Sequence, residues 1–343
     1  MGGIGLRKEN GRVRWIDIAR GICMILVVLG HTMRGGPVWH AVYGFHVAAF
    51  FFLAGMTCGG GAILPRLRRD LRRILLPYYC FGLFSIGVFA LLGGSAAASY
   101  GLSANTDLLD NLKSLLYANG RDRAMLYNTA LWFLPCLLVV KALYYILERL
   151  CGKLWLILML SLLLAGLGYG YTCLGLPCLP FSASVALKML PLFVLGRICY
   201  GLPEMSSRRK ALVLGLLLLA AACGLSLATP KVNYSDDLFP NILAFCATAS
   251  MGTAGLCLTS MAIARNGALE YLGRNTLAVM VMHKFPVVLL QMLPPFRGAI
   301  LQNQTLYGHL LGGIPATALA ILLCLLAAQI IKKHAPILLG GRK

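Results

Sequence analysis

Apolar residues run through this chain in long blocks separated by short polar or basic punctuation, with no sustained alternation of period two. A helix that crosses the hydrocarbon core of a bilayer needs about 20 mostly apolar residues. Ten stretches meet that length, at approximately 15–33, 41–61, 74–93, 130–147, 154–172, 182–200, 211–228, 241–264, 275–294 and 308–331. The pattern predicts an all-α polytopic membrane protein of about ten transmembrane helices, because lipid offers no partner for backbone N–H and C=O groups and a helix satisfies them internally. The first block follows MGGIGLRKENGRVRW and continues through Gly30, His31 and Thr32 without a small-residue cleavage site. It is therefore read as a retained membrane helix and not as a signal peptide. No internal repeat, low-complexity tract or composition shift divides the sequence, which predicts a single membrane-embedded domain over 1–343, its core at about 14–331 between two short tails.

Composition narrows the class. The 343 residues are 59% hydrophobic and 12% charged, with a mean hydropathy of +0.78, whereas a soluble domain is about a quarter charged. A water-soluble enzyme, a disordered chain and a nucleic-acid-binding protein are all excluded, although the net charge is +20. The basic residues explain themselves by position. Arg7, Lys8, Arg12, Arg14, then Arg66, Arg68, Arg69, Arg72, Arg73, then Arg149, Lys153, Arg208, Arg209, Lys210, Arg265, Arg274, Lys332, Lys333, Arg342 and Lys343 fall on one side of the predicted spans. The other side holds only Arg34, Lys113, Arg121, Arg123, Lys231 and Arg297. The positive-inside rule then places both termini in the cytoplasm of a cell, in the plasma or inner membrane. Twelve cysteines are scattered singly with no CxxC pair, so no metal site is read. Cys173 and Cys178 share a short loop and are not read as bridged. The longest connection, 94–128, lies outside and carries Asp107, Asp110, Lys113, Arg121, Asp122 and Arg123, and a second outer loop at 229–240 carries Lys231, Asn233, Asp236 and Asp237.

The first span carries chemistry. Ionisable residues inside a membrane helix are costly and face the bundle interior, and here Asp17 and Arg20 open the span while His31 sits toward its outer half. Asp17 and Arg20 are spaced to pair on one face. His31 is eleven positions after Arg20, which at roughly 100° each is about three turns plus 20°, with an axial rise of about 16 Å. The two share a face, with Met24 and Val27 or Val28 between them, and the stripe reads as cation, greasy channel, imidazole. One reading has Asp17 and Arg20 snorkelling at the inner interface. The other matches the spacing to a CoA thioester, a polyanionic head joined by a long flexible arm to its reactive acyl carbon.

The run Arg20 to His31 inside RWIDIARGICMILVVLGH resembles the first-helix motif of the acyltransferase 3 family, integral-membrane enzymes that transfer acyl groups, usually acetyl, to sugars of surface glycans. Phe45-His46 followed by Phe50-Phe51-Phe52-Leu53-Ala54-Gly55 resembles the family's second-helix FH...FFFLSG, with Ala54 in place of Ser. Arg69-Asp70-Leu71-Arg72 before Ile74-Leu75-Leu76-Pro77-Tyr78 resembles its RxxR, and Leu131-Trp132-Phe133-Leu134-Pro135 resembles its WFL segment. Leu272-Gly273-Arg274-Asn275-Thr276-Leu277, ending at His283, resembles the late GxNSL...H, with Thr276 in place of Ser. The pieces occur in order over about 14–331, and the WFLP and RxxxxxPY forms lean toward the branch containing fucose 4-O-acetylase-like proteins.

The resemblance implies an O-acetyltransferase that takes acetyl from cytosolic acetyl-CoA as donor, with no metal, and modifies a hydroxyl of a surface glycan or lipid-linked sugar. It implies His31 as general base, or as an acyl-histidine nucleophile, and His46 as its neighbour at similar depth. Arg20, oriented by Asp17, and Arg69 with Arg72 would bind the donor, since forked guanidinium groups suit phosphates. Arg66, Arg68 and Arg73 are read as topology residues. Trp132 fits a sugar-stacking platform or the interfacial aromatic belt, the belt being the simpler reading. His283 and Lys284 fall mid-span in the ninth helix, His283 being the candidate for substrate contact. The rival class is a non-enzymatic transporter or exporter of a glycan or small molecule, with Arg20, Lys188 and Lys284 lining a path.

Overall fold

The computed structural model describes residues 8–9, 12–33, 35–99, 108–120, 128–200, 207–297 and 308–341. Asp107, Arg121, Asp122 and Arg123 of the long outer connection, and Arg7, Arg34, Arg342 and Lys343 of the charge pattern, lie outside the described residues. A two-residue hairpin, β1 (Lys8–Glu9) against β2 (Arg12–Val13), precedes an all-α bundle. Nine segments among the described residues are long and apolar enough to cross a membrane. The first is α1 (Arg14–Thr32). The second, Pro37–Met56, is made of α2 (Pro37–Tyr43) and α3 (His46–Met56). It starts earlier than the apolar run suggests because Pro37 is preorganised for the first helical position.

The third segment begins at Ile63 and not near residue 74. Arginine is a good helix former, so the basic run is itself helical as α4 (Ile63–Asp70) and continues through a π-turn, Leu71–Leu75, into α5 (Leu76–Ser99). The outer connection then carries α6 (Leu108–Tyr117), tied to the bundle where the Tyr78 hydroxyl donates to the Leu115 carbonyl at 2.7 Å. Four further passes follow in α7 (Phe133–Cys151), α8 (Leu154–Cys173), α9 (Ala183–Cys199) and α10 (Arg208–Ala228), then α11 (Ile242–Ile263).

The ninth expected span is broken into α12 (Gly267–Arg274), α13 (Thr276–Met282) and α14 (Lys284–Met292), with turns at Asn275 and His283. Two contacts give its course. Gly273 lies against the Asp17 backbone, where any Cβ would overlap the carbonyl, and the His283 ring lies 4.9 Å from that of His31. The segment therefore runs beside α1 in the same direction, from its inner end to its outer half. A short α15 (Pro294–Arg297) and the last pass, α16 (Ile314–His334), complete the chain, and a 3-10 turn at Pro336–Leu339 folds back toward the π-turn.

The windows of α1, α3, α7 and α9 are mostly buried by neighbours, while α8, α10 and α16 present most of their surface to lipid. Helices approach closely in lipid where small residues remove side-chain bulk. Gly55 of α3 meets the Phe193 carbonyl of α9, and Gly196 of α9 meets the Phe52 carbonyl of α3, a reciprocal pair that locks the two helices at backbone distance. The twelve cysteines are all free.

Candidate active site

The inner end of α1 and the end of α3 meet at Arg20. Its guanidinium donates to Thr57 Oγ1 at 2.6 Å and reaches the Leu53 carbonyl at 3.5 Å, and it lies 3.9 Å from the Asp17 carboxylate. The last carbonyls of a helix lack partners and carry partial negative charge, so the end of α3 is a natural seat for a cation. A cavity of about 510 Å³ opens there, lined among others by Asp17, Arg20, Thr57, Arg197 and Arg274 and by the backbone at Gly59 and Gly60. Arg197 and Arg274 each occupy the last turn of their helix, α9 and α12. Three guanidinium groups against one carboxylate leave the cavity strongly cationic.

The outer end of the same face of α1 enters a second, narrow pocket of about 60 Å³. Val27, His31, Tyr43, His46, Trp132 and Tyr234 line it, joined by Asn233, Ser235 and Met280. His46 is buried, and its Nδ1 lies 2.7 Å from the Val42 carbonyl. A carbonyl only accepts, so the neutral ring carries its proton on Nδ1 and offers a lone pair on Nε2. The same logic applies to His283, which is 0% exposed, with Nδ1 at 2.9 and 3.0 Å from the Val279 and Met280 carbonyls. Its Nε2 has no hydrogen-bond partner among the described residues. The His283 ring is tilted 41° against that of His31. Trp132 is buried in the pocket wall, stacked at 17° and 6.5 Å on Tyr234.

Met24 and Val28 are fully buried on α1 between the two ends. The expected greasy channel is thus a packed seam dividing two cavities, because apolar side chains close any gap they can reach to interior density.

A family model described as an acyltransferase domain matches residues 13–331, taking in every residue of both cavities. The chain belongs to the acyltransferase 3 family. Neither the curated proteins nor the solved structures yield a match. The protein is accordingly a multi-pass membrane acyltransferase, which requires an acyl donor and an acceptor.

Within this acyltransferase the structure brings His31, His46 and Trp132 together in one pocket, sets His283 beside His31, and joins Asp17 to Arg20 in the other cavity. Arg69 and Arg72 line neither cavity. Both are exposed, and Arg72 donates to the Gly341 carbonyl at 3.0 Å. Arg66, read as a topology residue, is buried instead: it pairs with Glu148 and lies over the Tyr145 ring at 4.0 Å. Asp70 is also buried, held by Lys141 at 2.7 Å and by the Tyr145 hydroxyl. One face of the basic run therefore fastens α4 to α7. Lys141, an ionisable residue inside an apolar span, and Glu148, just past the span's end, were the available sequence signal for that contact.

Sequence reasoning also missed Arg197 and Arg274 as cavity residues and Tyr234 as a wall of the outer pocket. Tyr234 reaches the pocket because its loop is pinned: Lys188 Nζ lies 2.6 Å from Asp237 Oδ1 and donates to Thr172 Oγ1 at 2.6 Å, and Thr172 Oγ1 donates to Asp237 Oδ2 at 2.8 Å. Lys188 is enclosed in this ion pair and lines neither cavity, so it does not form part of a transport path through them.

Proposed function

We propose that this acyltransferase is an O-acetyltransferase of the plasma or inner membrane, taking acetyl from cytosolic acetyl-CoA and placing it on a hydroxyl of a surface glycan or lipid-linked sugar. The observation that carries the reading is that one face of α1 serves both cavities, Arg20 in the cationic inner one and His31 in the outer one, about 16 Å apart along the helix. Acetyl-CoA has that form, with phosphates at one end and a thioester at the tip of a flexible arm. Arg20, Arg197 and Arg274 would hold the phosphates by charge-assisted hydrogen bonds. Met24 divides the cavities, and its unbranched, adaptable side chain is suited to swinging aside for the arm.

At the outer end, His31 takes the proton of the acceptor hydroxyl as that oxygen bonds to the acetyl carbon. The carbon–sulfur bond breaks, and the proton passes to the departing CoA thiolate. In the alternative route, an imidazole nitrogen of His31 bonds to the acetyl carbon as the carbon–sulfur bond breaks and the CoA thiol leaves, and the acceptor oxygen then displaces the imidazole, which takes up the hydroxyl proton. His46 and the fixed ring of His283 flank the base. Trp132, Tyr234 and Tyr43 offer faces for a sugar ring, and Asn233 and Ser235 offer hydrogen bonds to its hydroxyls. The whole chain acts as one membrane-embedded unit in this scheme.

The test is release of free CoA thiol and transfer of label from labelled acetyl-CoA by the purified protein in nanodiscs. His31→Ala, expressed to the wild-type level, is expected to give neither, whereas undiminished transfer would remove His31 from the mechanism. A wild-type protein that moves sugars across the bilayer but never consumes acetyl-CoA would be a transporter.

A further inference from the structure

A third cavity, of about 600 Å³, lies on the opposite side of α13 from the outer pocket. Its walls are Phe81 and Phe84 of α5, Phe285 and Leu289 of α14, and Leu323 and Ala327 of α16. Met282 closes its back, while Met280, two residues earlier, lines the outer pocket. Phe84 and Leu289 are more than half exposed at its mouth, so the recess opens sideways toward the hydrocarbon. An ordinary lipid-facing helix offers a single curved flank. Here three helices and the C-terminal turn, through Leu338, surround the space.

The inner end of this groove has a charged rim. Beyond Leu338, Gly340 sits against Arg73, and Gly341 accepts from Arg72. Among the described residues, no carboxylate forms a salt bridge with Arg72 or Arg73. A cluster of unneutralised basic groups at the cytoplasmic interface attracts anionic lipid headgroups.

We infer that the groove is a specific site for one anionic glycerophospholipid of the inner leaflet, an acyl chain lying between α5, α14 and α16 and the phosphate resting on the Arg72 and Arg73 rim. Two features separate this occupant from a lipid-linked acceptor. The rim lies at the inner end of the groove, whereas the histidine pocket lies at the outer end of α1. Helix α13 stands between the two spaces, so a chain in the groove does not deliver its head to His31. The inference concerns lipid binding alone and does not depend on which acyl donor or acceptor the enzyme uses.

The experiment places the full-length protein in phosphatidylcholine vesicles with spin-labelled phosphatidylglycerol or spin-labelled phosphatidylcholine and measures the motionally restricted fraction. The expected result is one restricted phosphatidylglycerol per chain, favoured over phosphatidylcholine by about thirtyfold, the scale of two basic contacts at an interface. Replacing Arg72→Gln together with Arg73→Gln is expected to abolish the preference while leaving a restricted chain. Ala327→Trp, or Leu289→Trp at the exposed mouth should the first variant not fold, is expected to remove the site for both lipids. Equal restriction of the two lipids by the wild type, or a preference that survives both filled-groove variants, overturns the proposal. So does displacement of phosphatidylglycerol by an equimolar polyprenyl phosphate, which would make the groove the acceptor lipid's site.

Discussion

Three imidazoles converge near the outer end of α1, and their hydrogen bonds assign them different work. His46 and His283 each spend Nδ1 on a backbone carbonyl, which fixes ring orientation and leaves Nε2 as an acceptor. Leaving a buried acceptor unsatisfied costs about 1–3 kcal/mol, and the Nε2 of His283 stands in that condition beside His31. Under the proposed mechanism His283 steadies the His31 ring as it gains a proton. His283→Ala is then expected to lower kcat by about a hundredfold, within the usual range for acid–base assistance, with little change in KM for acetyl-CoA. Steady-state CoA release measures both, and an unaltered kcat would reduce His283 to packing. At the other cavity, Arg197→Ala and Arg274→Ala are each expected to raise KM for acetyl-CoA about tenfold, the worth of a charge-assisted hydrogen bond. Arg69→Ala, on an exposed side chain away from the cavity, is expected to raise it less. A larger rise for Arg69→Ala would return the donor site to the basic run.

Helix α1 is the element on which the chemistry is strung. Its turns place Asp17, Arg20, Met24 and His31 on one side by geometry alone, and α13 runs alongside it with Thr276 and Leu277 in the inner cavity and Met280 in the outer one. The two helices form the wall that an acyl arm would follow, and the glycine at 273 permits the approach because a Cβ there would collide with the Asp17 backbone. The fully buried Met24 is the narrow point of that wall. Met24→Trp, which cannot fold aside, is expected to abolish acetyl transfer to the acceptor while acetyl-CoA still protects Arg197 from modification by an arginine-selective reagent. Met24→Ala is expected to retain transfer. Undiminished transfer by Met24→Trp would show that the arm takes another course.

Across the whole molecule, the outer pocket depends on contacts between elements far apart in the chain. The 229–240 loop supplies Asn233, Tyr234 and Ser235 to the pocket and is tied to α9 and α8 by the buried Lys188–Asp237 pair and Thr172. Removing one partner of a buried pair strands the other charge and costs about 3–5 kcal/mol. Lys188→Met is therefore expected to lower the thermal midpoint in detergent and weaken acceptor binding. The double change Lys188→Met with Asp237→Asn is expected to recover most of the lost stability, because Asn tolerates the positive φ of 54° at this position. A double variant no more stable than the single one would argue against charge as the reason. The sequence by itself determined the helical class, the sites of the membrane passes and the shared face of Arg20 and His31, since lipid forces the backbone to satisfy itself locally and helical periodicity orders side chains within one rod. Periodicity does not say which neighbouring rod a face meets. Tertiary packing alone decided that Arg197 and Arg274, rather than Arg69 and Arg72, border the inner cavity, and that Trp132 is enclosed. It also decided that Met24 closes the seam and that His283 meets His31, because each of these depends on small residues such as Gly55, Gly196 and Gly273 bringing particular helices within reach of one another.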